Sequence, residues 1–111
     1  MDNVKDDAYY LKKIVNDLKF IIDHTHNITV DEIKKNEVLL DSVMFRLIQI
    51  SENSERLAYD FKMRNSEVPW RAIKGMRNRI VHEYGDVDLT VIFDAVVSDV
   101  PQLYKLLSGM F

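Results

Sequence analysis

From Tyr9 onward apolar residues return every three or four positions, with Leu11, Ile14, Val15, Leu18, Ile21 and Ile22 marking one stripe of a helix that should end between His24 and Asn27. Thr29 or Asp31 fits the N-cap of a second helical start, and Asp31 and Glu32 sit where the helix dipole favours acid. Leu40, Val43, Met44, Leu47, Ile50, Ser54, Leu57 and Phe61 then share a face. Unbroken from Asp31 to Arg64, that helix would run about nine turns, so a kink or break near Lys35 to Glu37 is expected. Ser66 to Pro69 reads as a loop, because Pro69 pushes Val68 into an extended conformation and itself suits the first turn of a new helix. Trp70, Ile73, Met76, Ile80 and Val81 form the next stripe, for which Gly85 reads as the C-terminal stop. Asp88 then caps a last helix bearing Leu89, Ile92, Phe93, Val96, Val100, Leu103 and Leu107, which Pro101 should kink or divide. The pattern predicts one all-α domain over residues 1–111, an antiparallel bundle of four main helices or five.

Composition agrees: 47% of the 111 residues are hydrophobic and 30% charged, with only three glycines and two prolines. Without cysteine there is no disulfide, thiolate metal site or cysteine nucleophile. The acidic start, MDNVKDDAYY, is not a secretory signal, and no apolar run is long enough to span a bilayer, so a soluble cytoplasmic protein is expected. Asp2, Asp6 and Asp7 read as a solvated face, and with no ligand set at suitable spacing no metal or other cofactor is expected. Net charge is −3, so any attraction to RNA has to be local. Arg71, Lys74, Arg77 and Arg79 supply that locality.

One stretch concentrates reactive chemistry. In GMRNRIVHEYG, Gly75 to Gly85, Arg77 and Arg79 offer cationic donors, Asn78 an amide, His82 a group that titrates near neutrality and Tyr84 a phenol. That kit suits metal-free cleavage of an RNA phosphodiester: a base takes the 2′-hydroxyl proton, the oxygen attacks phosphorus, an acid protonates the leaving oxygen, and cations hold the developing charge. The same residues also fit a solvated helix end whose cations answer the dipole, and Tyr84 could simply close the core. On one continuous helix Arg77 and His82 diverge by about 140°. Either the helix unwinds near His82 or the site is assembled between two copies of the chain. His24 and His26, two apart on a helix, do not face each other as a metal pair would.

The run WRAIKGMRNRIVHEYG, Trp70 to Gly85, resembles the signature of HEPN-domain proteins of the HepT-like toxin branch, in which arginine, histidine and tyrosine recur as do Arg77, His82 and Tyr84 here. The similarity extends to ISENSERL with its Glu52, to VPW and to DVPQL. The resemblance implies a homodimeric HEPN bundle acting as a metal-independent endoribonuclease at a composite interface site, the toxin of a type VII-like toxin–antitoxin pair. Carried over, Arg77 binds and stabilises the phosphate, His82 is general acid or base, and Asn78 supports the site; Arg79 and Lys74, from the local cationic cluster, are expected as further RNA contacts. The implied partner is an MntA-type nucleotidyltransferase antitoxin that transfers AMP from ATP to Tyr84, placing bulk and negative charge beside His82. The alternative is a non-catalytic HEPN subunit that binds a nucleotide or docks the nucleotidyltransferase.

Overall fold

The fold is given by a computed structural model that describes residues 5–81 and 88–110. Helix α1 spans Asp7–His24, α2 Val30–Lys35, α3 Glu37–Glu55, α4 Tyr59–Arg64, α5 Trp70–Ile80, α6 Leu89–Asp94 and α7 Val100–Ser108, with a π-helical stretch over Ala95–Asp99 joining the last two. Among the described residues there is no strand longer than a single bridge position. The expected bundle is therefore present as four long helical rods, α1, α3, α5 and the α6–α7 rod, with α2 and α4 as short connectors.

The predicted stripes become the core. Leu11, Ile14, Val15, Leu18 and Ile21 of α1 meet Val43, Leu47 and Ile50 of α3, while Ile73, Met76 and Ile80 of α5 and Val100, Leu103 and Leu107 of α7 complete the cluster. Helix α3 lies between α1 and α5. Its pairings run in opposite senses of numbering, Arg46 to Asp17 and Ala58 to Asp7 on one flank, Glu55 to Lys74 and Glu52 to Arg77 on the other, so it is antiparallel to both neighbours. Each fully buried isoleucine or leucine in this cluster contributes on the order of 1.5–3 kcal/mol.

Caps fall where short polar side chains can close a first turn. Asp6 accepts from the Tyr9 N–H at 3.0 Å. Thr29 and Glu32 form a reciprocal capping box, Asn36 accepts from Leu39, and Asp88 accepts from Val91. Asn27, with φ 56°, turns the chain between α1 and α2 in a conformation asparagine tolerates well. Near Pro101, where an i−4 bond to Val97 is impossible, the helix widens into the π turn just before the proline and resumes as α7.

Three expectations change. The long central helix breaks at Asn36 as anticipated but also at Arg56 to Ala58, where Ala58 is extended (φ −63°, ψ 146°) and its N–H donates to Asp7 Oδ1 at 2.8 Å. Asp6 and Asp7 are accordingly more than a solvated face, since one caps α1 and the other fixes this break; Asp2 lies outside the described residues. Helix α5 ends at Ile80 rather than running on to Gly85, because Val81 is already extended (φ −107°, ψ 105°) and the Asp88 N–H returns to the Ile80 carbonyl at 3.0 Å. Among the described residues no helix is long and apolar enough to cross a membrane.

Candidate functional site

The candidate residues begin on α5, whose buried face of Ile73, Met76 and Ile80 leaves Lys74, Arg77, Asn78 and Arg79 exposed. Arg77 leans toward α3, its Nε 3.8 Å from Glu52 Oε1, too long for a hydrogen bond and with both side chains about half exposed. One turn earlier, Lys74 Nζ stands 3.6 Å from Glu55 Oε1, and the other oxygen of that carboxylate lies 3.7 Å from Lys62 Nζ. The backbone beneath is fixed more firmly: Ser51, buried on α3, donates its hydroxyl to the Lys74 carbonyl at 3.1 Å. A cationic edge thus runs along α5 on a stiff support while its charged heads remain open to solvent.

Arg79 lies elsewhere. It folds back over Gly75, where an added Cβ would come within 3.2 Å of its Nη1, and lines a groove between α5 and α7 together with Met76, Asp99, Gln102 and Leu106. The described geometry therefore brings Lys74 and Arg77 together on the α3 flank and sends Arg79 to the α7 flank, with Asn78 exposed between them. His82 and Tyr84 lie outside the described residues.

The described residues run to Val81, where helical register stops. The divergence of about 140° between Arg77 and His82 holds only on an uninterrupted helix. With Val81 extended, α5 ends before His82, so the divergence of a continuous helix does not apply to this pair. The helical misfit is no longer an argument for two chains.

Sequence reasoning from spacing gave no role to Glu52 or Glu55, the carboxylates that face the cationic edge. The signal was their separation of three on α3, which puts both on the flank turned toward α5. Trp70, expected in the core, is only partly buried: its indole N–H donates to the carbonyls of Lys62 at 3.1 Å and Asn65 at 3.0 Å, pinning α4 to the start of α5. His24 closes a helix end, its Nδ1–H donating to the Phe20 carbonyl at 2.7 Å and its ring stacked on Phe20. Among the described residues no three His, Asp or Glu side chains are grouped to hold a metal ion.

Residues 14–110 match the family described as Ribonuclease HepT-like. A Caldanaerobacter subterraneus subsp. tengcongensis protein named a putative RNase is 31% identical over 96 residues, covering 86% of each chain. Another protein named a putative RNase, from Methanocaldococcus jannaschii, is 32% identical over 101 residues, covering 91% of this chain and 84% of its own. A Thermococcus cleftensis protein named a probable ribonuclease HepT is 31% identical over 94 residues, 85% of this chain and 86% of its own. No solved structure gives a significant match. With nearly the whole chain covered, from the middle of α1 past the end of α7, this protein belongs to the HepT-like ribonuclease family.

Proposed function

We propose that this chain is a metal-independent endoribonuclease that cleaves RNA through Arg77 and His82. The observation that carries the reading is the end of α5: Arg77 sits exposed on its last turn, restrained among the described residues only at 3.8 Å by Glu52, and the chain leaves helical register at Val81, immediately before His82. In this reading a 2′-hydroxyl loses its proton to a histidine and attacks the adjacent phosphorus. The bond to the leaving 5′-oxygen breaks as that oxygen takes a proton, leaving a 2′,3′-cyclic phosphate. Arg77 neutralises the charge gathering on the phosphoryl oxygens, and Asn78 supports it. A homodimer supplies two copies of His82 to one cleft, one to accept the proton and one to return it. Lys74 extends the cationic contact along the strand; Arg79, on the other flank of α5, is assigned to the same role only if the second chain brings it there.

Family membership supports the rest of the reading. The protein acts in the cytoplasm as the toxin of a pair whose antitoxin is an MntA-type nucleotidyltransferase, and AMP carried by Tyr84 blocks the phosphate site by charge and bulk. Purified parent should cleave RNA in the presence of a chelator, and Arg77→Ala and His82→Ala should each lower the rate by about 100-fold or more. Variants that cleave like the parent would falsify the assignment. Co-expression with the partner and ATP should add AMP mass to Tyr84, and Tyr84→Phe should abolish it. A parent that binds the nucleotidyltransferase tightly but cleaves nothing would favour the non-catalytic module instead.

A further inference from the structure

The α4–α5 corner carries a surface that the fold itself does not require. Tyr59 is 71% exposed and Met63 58%, and their separation of four puts them on one face of α4. They border an open groove of about 600 Å³, within the size range of ligand clefts, whose wall is Trp70. The two indole hydrogen bonds and the edge-on contact with Phe61 at 6.2 Å hold that ring in place, so the wall is pre-formed. Aromatic surface this open, next to a fixed ring, suits a flat partner.

The charge of the groove names the partner's other half. Lys62, Arg71 and Lys74 line it against a single carboxylate, Glu55, which the two lysines share at 3.7 and 3.6 Å. A chain of net charge −3 therefore has a local cationic excess here. Arg71, Lys74 and Arg77 follow at intervals of three, each advancing about 4.5 Å along α5, so the cations of the groove lead directly to the arginine at the end of the helix.

We propose that this groove holds single-stranded RNA beside the scissile phosphate, with one base stacked on Tyr59 and the neighbouring phosphates on Lys62, Arg71 and Lys74. The inference rests on the ribonuclease reading and assigns its substrate as unpaired RNA. A duplex presents phosphates but no free base face to an exposed ring, whereas an unpaired strand presents both.

The test is the affinity of the full-length protein for a labelled, fully 2′-O-methylated single strand, which cannot be cleaved. Tyr59→Ala should weaken binding about 5- to 100-fold, Tyr59→Trp should restore it, and neither should move the melting temperature. Arg71→Gln should lower the slope of log affinity against log salt by about 0.7. Trp70, the single tryptophan of the chain, should change fluorescence as the strand binds. Parent-like affinity in Tyr59→Ala, equal affinity for a duplex, or silent Trp70 fluorescence overturns the proposal. So does a Tyr59→Ala protein that keeps RNA but loses a protein partner. If the groove fails while Arg77→Ala still abolishes cleavage, the ribonuclease reading stands; if the strand binds through Tyr59 but the parent cleaves no RNA, the groove stands and that reading falls.

Discussion

Two arginine–carboxylate pairs tie α3 to its neighbours, and they are held very differently. Toward α1, Arg46 Nη1 donates to Asp17 Oδ1 at 2.8 Å, its guanidinium lies 4.0 Å from the centre of the Phe20 ring, and the Asp17 side chain is only 11% exposed. Toward α5, Arg77 and Glu52 face each other at 3.8 Å without a hydrogen bond, both open to water. A buried carboxylate must be matched because water cannot solvate it, so the first pair is fixed by the fold. An exposed pair contributes little, about 0–1 kcal/mol, so the fold does not hold Arg77 through Glu52. Position on the fold thus separates an arginine that holds the bundle together from one that is available to a ligand.

The comparison breaks most visibly at Asp17. Asp17→Ala leaves Arg46, one third exposed, without this partner, and should cost about 2–3 kcal/mol, lowering the melting midpoint by roughly 10 °C while cleavage measured well below the transition persists. Thermal melting checks it, and a shift of only a degree or two would mean the buried pair is no more structural than the exposed one.

Arg77→Lys is the next largest effect and has the opposite signature. Charge is kept but the planar fork that can grip two phosphate oxygens is lost, so cleavage should fall about 10-fold, worth ~1.4 kcal/mol at the transition state, with no change in melting. Steady-state rates on a defined RNA decide it. Glu52→Gln should do less: with the orienting carboxylate gone, kcat should drop a few-fold, well inside the ~100-fold range of remote misplacement, while KM does not rise. A rise in KM alone would show Glu52 touching substrate rather than positioning Arg77.

The smallest effect lies far from either arginine. The Thr29 backbone N–H donates to the Glu32 carboxylate at 3.0 Å, and this bond first, then the Thr29 side chain, lowers the Glu32 pKa below its ordinary 4.5. A depressed carboxylate contributes stability that is present above its unfolded value and is lost as pH falls through the folded one. The melting difference between parent and Glu32→Gln should therefore shrink as pH drops below 4.5, as a pH series of melts would reveal.

The same contrast explains what was legible in the sequence. Stripes such as Ile14, Leu18 and Ile21 are local signals that appear where spacing put them, the second helix takes Thr29 rather than Asp31 as its cap, and of the kink or division expected at Pro101 the helix shows a π turn just before it. The break at Ala58 was hidden because Leu57 and Phe61 stay in helical phase across it, and the carboxylate that fixes it, Asp7, is 51 residues away. The early end of α5 was hidden for a similar reason: the group that closes it is the Asp88 N–H, beyond the motif itself. For the candidate site, the reactive residue types were readable from GMRNRIVHEYG. Their partners were not, because Glu52 and Glu55 meet Arg77 and Lys74 only once α3 lies antiparallel to α5.

The central claim is that Arg77 is available for chemistry because the fold does not depend on it. The direct measurement is cleavage of one defined single-stranded RNA by parent, Arg77→Ala and Arg46→Ala, each assayed below its own melting transition and each melted in the same buffer. Arg77→Ala should melt with the parent and lose about 100-fold or more in rate, whereas Arg46→Ala should melt lower and cleave at the parent's rate. The reverse pattern, or an Arg77→Ala protein that cleaves as the parent does, would contradict it.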